Sequence, residues 1–201
     1  MVMEWLALFE NNMFFFLIAY PILGAGIKYI DAAYDEKTFN KKTALIITPP
    51  LAALWAYTML INPISTTILL AILLGVLVKN KIDNYAHLLG SAIIVTIFII
   101  TIYLKNIELI ILPLVFLISA AIIDEVGNDI IDYNKKNLKK NRFRHQFSLY
   151  FFGRRYVMKI AILYLIIFGI VELYFLLAMI LFDEAYIITD LYSRSKQQKD
   201  K

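Results

Sequence analysis

Long apolar stretches alternate with short clusters of polar and charged residues along the chain. A helix needs about 20 largely apolar residues to cross the hydrocarbon core of a bilayer, and six of the stretches approach that length. The third and the fifth are short and need flanking residues to reach across. The pattern therefore predicts an all-α integral membrane protein, a bundle of about six transmembrane helices in three hairpins. The predicted spans are 13–30, 43–61, 64–78, 88–104, 109–123 and 157–182.

Asn62-Pro63 is the predicted turn between the second and third spans, because proline disfavours helix in the preceding residue and lacks a backbone donor. A rival interpretation joins 50–78 into one kinked helix and leaves five spans. The basic residues favour six spans, because only then do all strongly basic segments face one side of the membrane. This topology places both termini outside. The segments predicted to be cytoplasmic are 31–42, 79–87 and 124–156.

Composition agrees with a cell-membrane location. Of the 201 residues, 61% are hydrophobic and 18% are charged, whereas roughly half of an ordinary globular domain is apolar. The formal net charge of +4 is a mild basic excess typical of cytoplasmic loops, and it does not indicate a nucleic acid partner. Because the chain has no cysteine, disulfides and thiolate chemistry are excluded. We expect one transmembrane domain over 1–192 and a disordered polar tail at 193–201.

Each predicted cytoplasmic hairpin carries the same short pattern, Ile-Asp followed by three residues and then a second polar residue. Residues four apart share one face of a helix, so each pattern presents two oxygen or nitrogen donors together. Carboxylates are unfavourable at the negative ends of helix dipoles, which indicates another constraint, such as a bound cation. Mg²⁺ takes carboxylate oxygens, and His87 also admits Mn²⁺ or Zn²⁺. The predicted metal ligands are Asp31, Asp35, Asp83, His87, Asp124, Asn128 and Asp129.

The same acids also have a purely structural interpretation, because acids beside lysine-rich segments often form salt bridges or face solvent. The sequence leaves both interpretations open. Asp31 and Asp35 have the bare Asp-x-x-x-Asp form that resembles the pairs on such loops of intramembrane polyprenyl transferases. The rest of that motif is absent and the chain is short for the family, so we infer no membership.

The segment 134–155 carries eight basic residues interleaved with aromatic ones, and Phe143, Phe147 and Phe151 recur every fourth position. This spacing predicts an amphipathic helix in the membrane interface, with its basic face towards anionic lipid head groups. An ordinary topology signal is the alternative interpretation. Basic residues close to the acidic patterns are candidate ligands for phosphate. The predicted phosphate-binding residues are Arg154, Arg155 and Lys81.

Glu172 lies inside the last apolar stretch, where an ionisable side chain is costly and indicates either ion or proton handling or a tolerated polar packing contact. Together with the acidic patterns and the basic loop, this residue leads to three hypotheses for the function. The first is an enzyme that uses Mg²⁺ or Mn²⁺ and acts on a lipid-linked phosphate or diphosphate at the cytoplasmic face of the membrane. The second is an ion or small-solute transporter that uses Glu172. The third is a non-catalytic subunit or assembly factor, whose basic loop binds a partner protein or anionic lipid.

Overall fold

The computed structural model describes residues 12–78, 84–105, 109–134, 147 and 150–199. Within these ranges the chain forms helices and turns and no strand, which confirms the predicted all-α class. The helices with defined bounds are α1 (Met13–Tyr34), α2 (Lys41–Leu60), α3 (Pro63–Val78), α4 (Tyr85–Lys105), α5 (Ile111–Asn134), α6 (Tyr156–Ile167) and α7 (Leu173–Lys199).

Four of the described helices, α1, α2, α4 and α5, contain segments long and apolar enough to cross a membrane. The helices α3 and α6 are apolar but shorter. Large apolar side chains such as Ile18, Ile46, Leu112 and Ile167 are exposed on the outside of the bundle. Extended exposed apolar surface of this kind is compatible with contact with lipid. The count of six spans and their arrangement in hairpins stay predictions.

Asn62 separates α2 from α3, where the sequence predicts a turn. Its side-chain oxygen accepts hydrogen bonds from the backbone N–H groups of Ile64 (2.8 Å) and Ser65 (3.1 Å). These are two of the donors that the first turn of a helix leaves without an intrahelical partner. Pro63 occupies the first position of α3, where a missing N–H costs nothing. The rival interpretation of one kinked helix over 50–78 is therefore wrong.

The segment 157–182, predicted as one span, is divided into α6 and α7. Gly169 has a φ of +68°, a left-handed conformation that glycine adopts without steric cost. Its N–H donates to the carbonyl of Ile166 (2.9 Å), and the N–H of Ile170 donates to that of Leu165 (2.9 Å). This pair of bonds is the Schellman motif that ends helices. The prediction of a single continuous helix is wrong here, because the chain stops and reverses at Gly169.

The helices α1 and α7 lie parallel. Phe16 packs against Phe175 near the two N-termini, with 5.0 Å between ring centroids, and Lys28 pairs with Asp190 nearer the two C-termini (2.7 Å). Asn12, which caps α1, and the last turn of α7 therefore lie at opposite ends of the bundle. The side of the membrane on which each terminus lies stays a prediction.

The polar C-terminal residues extend α7 to Lys199. Ser193 is fully buried and donates to the Glu36 carboxylate (2.6 Å). Gln197 donates to the Thr38 hydroxyl (3.0 Å) and to the backbone carbonyl of Glu36 (3.2 Å). The predicted disordered tail is wrong for these residues, because the end of α1 and the turn after it supply hydrogen-bond partners.

The core of the bundle is apolar and contains a buried pair of hydroxyl groups. Phe16, Leu117 and Phe175 are fully buried within it. The hydroxyls of Tyr20 and Ser65 form a buried hydrogen bond of 3.1 Å between α1 and α3. Such pairing offsets most of the cost of removing the two hydroxyls from water.

Candidate functional site

Helix α5 continues through the beginning of the predicted basic loop 124–156, ending only at Asn134. Asp124, Glu125 and Asn128 are therefore helical rather than loop residues. All three line a cavity within the bundle. The start of the predicted loop is wrong, because these acids find partners inside the protein and need not leave the bundle.

The cavity is partly open, has a volume of about 460 Å³ and lies at the end of the bundle where α1 ends. Side chains of α1 to α5, of α7 and of the segment before α6 line it. Its volume is within the range of about 300–1,000 Å³ that is usual for small-molecule sites. Each of the three acidic patterns predicted from the sequence contributes to it. The predicted site residues in its lining are Asp31, Asp35, His87, Asp124, Asn128 and Arg155.

The lining changes from apolar to polar along the cavity. Trp55, Ile72 and Ile94 line it from positions well inside α2, α3 and α4. Asp35 and His87 line it from the end of α1 and the first turn of α4. Because α1 ends and α4 begins on this side of the bundle, Asp35 and His87 lie at the mouth and these apolar residues lie deeper. The cavity thus suits an amphiphilic molecule.

Acidic side chains outnumber basic ones in this lining. Among the described residues that form it, six are Asp or Glu, one is Lys and one is Arg. A concave surface with one dominant sign of charge concentrates ligands of the opposite sign. The mouth therefore favours a cation, or an anion that arrives with a cation.

Asp124 holds the start of α6. Its carboxylate is buried, with the residue 1% exposed, and accepts hydrogen bonds from the backbone N–H groups of Val157 (3.1 Å) and Met158 (2.8 Å). Arg155, the residue that precedes α6, makes no side-chain cap of its own. Asp124 thus supplies from α5 the cap that helices usually carry in their own sequence, and its charge lies at the positive end of the α6 dipole.

Asp31 and His87 join two of the predicted patterns directly. The Nε2 atom of His87 forms a hydrogen bond with Oδ1 of Asp31. The other carboxylate oxygen accepts a hydrogen bond from the Tyr186 hydroxyl (3.0 Å). The Asp31 carboxylate is therefore held by α4 and α7 together. Both residues were predicted as metal ligands, and in the structure they contact each other.

The polar residues of α7 are functional candidates that the sequence interpretation missed. Asp183 pairs with Lys159 (2.8 Å) and with Arg155 (3.3 Å), and Asp183 and Tyr186 line the cavity. Asp183, Tyr186 and Asp190 are spaced by three and four positions, which puts them on one face of a helix. That spacing was the available signal, but the apolar run before it was interpreted as a span ending at 182.

Arg155 reaches the cavity from a strained backbone position. Its φ of +48° is left-handed, which costs a residue with a side chain about 1–2 kcal/mol. The guanidinium pairs with Asp183 and lies 3.7 Å from Glu125. Burial lowers the pKa of this guanidinium, but the two carboxylates raise it by more, so the group stays cationic. Arg154, also predicted to bind phosphate, pairs with Glu184 instead (2.5 Å) and does not line the cavity.

The predicted metal site is incomplete among the residues that the structure describes. In this part of the chain no three His, Asp or Glu side chains form a group that could hold a metal ion. Asp129 lies on α5 but does not line the cavity. A metal here would need oxygen atoms from a bound molecule as well. Asp83, Lys81 and most of the predicted interfacial helix around Phe143 lie outside the described residues.

Glu172 lies in the exposed turn before α7. Its backbone carbonyl accepts a hydrogen bond from the N–H of Phe175 (3.1 Å), and Phe175 packs beside Phe16 in the first turn of α1. Glu172 is thus at the end of the bundle opposite the cavity, where a carboxylate favourably meets the positive end of a helix dipole. This placement does not support the prediction of an ionisable group in the middle of the bundle.

No protein-family model matches this sequence, and neither curated proteins nor solved structures give a match. The functional interpretation therefore depends on the chemistry of the site. The arrangement can enclose an apolar chain, attract a cation and place one arginine and one histidine beside a polar head group.

Proposed function

We propose that this protein is a metal-dependent enzyme that acts on a lipid-linked phosphate or diphosphate. The apolar chain of the substrate lies in the cavity between α2, α3 and α4, and its phosphate lies at the mouth. The observation that carries the proposal is the change from apolar to acidic lining within one cavity. Apolar substrate chains gain free energy from leaving water, while the charged head needs polar partners.

The acidic mouth is the reason for including a divalent cation. Phosphate alone would be repelled by the excess of carboxylates over basic side chains in the described lining. Mg²⁺ is commonly held by one or two carboxylates together with substrate phosphates. Asp35 and Asn128 line the mouth and supply oxygen atoms of the type that Mg²⁺ and Mn²⁺ prefer. Arg155 supplies a fixed positive charge for the phosphate.

We also propose that the mouth faces the cytoplasm. Lys37, Lys41 and Lys42 follow α1 or begin α2, and Arg194 and Lys196 lie in the last turns of α7. These five cations lie at the same end of the bundle as the cavity, because α1 and α7 are parallel. Cytoplasmic segments of membrane proteins carry such an excess of Lys and Arg, and the cluster suits anionic lipid head groups as partners.

Thermal unfolding of the detergent-purified protein tests the proposal. Polyprenyl phosphate and polyprenyl diphosphate are added with Mg²⁺ or Mn²⁺, and the matched lipid is the uncharged polyprenol. We expect the unfolding temperature to rise only when metal and phosphate are both present. The metal cation offsets the repulsion between the phosphate and the carboxylates, and the phosphate supplies oxygen atoms that the metal needs. The effect should be lost in Asp35→Asn and kept in Glu172→Gln, which changes a carboxylate at the far end.

Release or transfer of the phosphate from a radiolabelled substrate is then measured with the same pair of variants. Equal stabilisation by polyprenol would show binding of an apolar chain without recognition of phosphate and would refute the proposal. Stabilisation by a long-chain alkylamine without metal would indicate an organic cation as the ligand. No response to any of these molecules would favour the non-catalytic subunit.

A further inference from the structure

The contact between His87 and Asp31 has the geometry of a histidine held for proton transfer. Asp31 binds Nε2 of the ring through one oxygen and the Tyr186 hydroxyl through the other, at 3.0 Å. A carboxylate tied at both oxygens has little freedom to rotate. The imidazole is therefore fixed in direction by α1 and α7, although it belongs to α4.

The backbone of His87 is fixed as well. Its N–H donates to Oδ1 of Asn84 (2.9 Å), which caps α4, and its carbonyl accepts a hydrogen bond from the Ser91 hydroxyl (2.6 Å). The side chain is 18% exposed and lines the cavity. Because Nε2 donates to a carboxylate, the neutral ring carries its lone pair on Nδ1. Among the described residues no group other than Asp31 binds this ring.

The carboxylates that share the cavity with His87 are occupied by other groups. Asp124 is bound to backbone N–H groups of α6, and Asp183 is bound to cations. Glu36 accepts hydrogen bonds from Lys28 (2.6 Å) and from Ser193. The oxygen atoms of these three acids are therefore engaged by groups of the protein itself. Nδ1 of His87, by contrast, has no partner among the described residues and belongs to a ring that lines the cavity.

We propose that His87 accepts a proton through Nδ1 from an O–H group of water or of an alcohol bound in the cavity. Asp31 and Tyr186 act as positioning residues that keep the proton on Nε2 and stabilise the imidazolium once it forms. The inference rests on the proposed function for its reaction. There, the oxygen that loses its proton forms a bond to phosphorus, and the bond from phosphorus to the leaving oxygen breaks, with the electron pair staying on that oxygen.

The charge of the site favours this transfer in two ways. The Asp31 carboxylate stabilises the positive ring that results, as in other carboxylate–histidine pairs. Asp35, Glu36 and Asp124 also line the cavity and add negative potential, while Arg155 and the N-terminus of α4 oppose it.

Because proton transfer uses one nitrogen and no metal bond, it does not need the three-ligand group that the described residues lack.

The tautomer of His87 provides a test that does not depend on any substrate. The chain has two histidines, so His145→Gln leaves His87 as the single histidine of the chain. With ¹⁵N-labelled histidine, NMR of the detergent-purified variant reports which ring nitrogen carries the proton. We expect the proton on Nε2, and a mixture of tautomers in Asp31→Ala. Asp31→Asn keeps an acceptor, so it should keep the tautomer and the fold.

Turnover provides the second measurement, with the substrate that the stability test selects. We expect His87→Gln to lower kcat about 100-fold or more while leaving KM within about twofold, since proton transfer acts in the transition state. Asp31→Asn should lower kcat less and alter its pH profile. Tyr186→Phe keeps the aromatic ring of residue 186 and removes only its hydroxyl, so it should lower kcat the least of the three variants.

Several results would overturn the assignment. A proton on Nδ1, or a tautomer that Asp31→Ala leaves unchanged, would show that Asp31 does not determine the tautomer of His87. A shift of the Nδ1 resonance on adding Zn²⁺ alone would make His87 a metal ligand. Unchanged kcat in His87→Gln would remove the catalytic role while leaving the proposed lipid-phosphate chemistry intact, whereas absence of any lipid-phosphate binding would refute the proposed function and leave the tautomer result unaffected.

Discussion

Asp124 and Met158, which are 34 positions apart in the chain, are joined by a hydrogen bond of 2.8 Å between a carboxylate on α5 and a backbone N–H of α6. A second bond, to Val157, makes this carboxylate the cap of α6. The acid therefore has a structural role that its position in the sequence does not reveal. It also fixes the segment before α6, including Arg155, against the cavity.

Replacing Asp124 by Ala should destabilise the protein by about 1–3 kcal/mol, because two buried N–H groups lose their acceptor. Asp124→Asn keeps one acceptor oxygen and should cost less. Unfolding in a detergent titration gives both values, with Ser119→Ala as the control, because that hydroxyl is exposed and bonds only within its own helix. Equal stabilities of Asp124→Ala and Ser119→Ala would contradict the capping role.

Gly24 should not tolerate a side chain. A Cβ at this position on α1 would collide with the backbone carbonyl of Phe182 on α7. We expect Gly24→Ala to cost about 1–3 kcal/mol, because backbone must shift to make room. Thermal unfolding measures the loss, and Gly153→Ala is the matched control because a Cβ there meets no atom within 4 Å. Indistinguishable variants would mean that α1 and α7 are not packed this closely.

The buried ion pair between Asp183 and Lys159 should show strong coupling. The two residues are 3% and 8% exposed, and the charges lie 2.8 Å apart. Asp183→Leu should cost about 3–5 kcal/mol, since it leaves Lys159 buried without this carboxylate, whereas Asp183→Leu combined with Lys159→Met should cost much less. A double-mutant cycle on unfolding free energies tests this. Additive single and double changes would exclude a direct pair.

Glu172→Gln should leave binding at the cavity unchanged, because the residue lies at the opposite end of the bundle. The measurement is the metal-dependent stabilisation by polyprenyl phosphate described above. Asp35→Asn, at the mouth, is the matched change of a carboxylate to an amide. If Glu172→Gln abolished the stabilisation and Asp35→Asn did not, the ligand would bind away from the cavity and the ion-transport hypothesis would regain its support.

Local signals predicted much of the fold. Asn62-Pro63 ends one helix and begins the next because both residues act on their own backbone. Gly169 acts locally as well, since a glycine after an apolar helical run is a common helix end. That signal was overlooked because most residues on both sides of Gly169 are apolar, so one apolar stretch runs through the turn. The prediction of one continuous helix over 157–182 was wrong because of that single position.

The sequence could place acids near one another but could not assign their partners. Asp31 and His87 belong to different predicted patterns, and spacing within each pattern suggested two donors for a metal. In the structure the contact runs between patterns rather than within them. Such contacts depend on how helices pack, which no spacing along one helix determines.

The sequence alone determined that this protein is helical and contains helices suited to a membrane, because hydropathy over about 20 residues is a local property. It also identified six residues that line the cavity. Only the tertiary structure decided that Asp124 caps α6, that Asp31 holds His87, and that α7 returns beside α1. These outcomes depend on which helices meet, because a buried polar group takes whichever partner the packing brings within hydrogen-bonding distance.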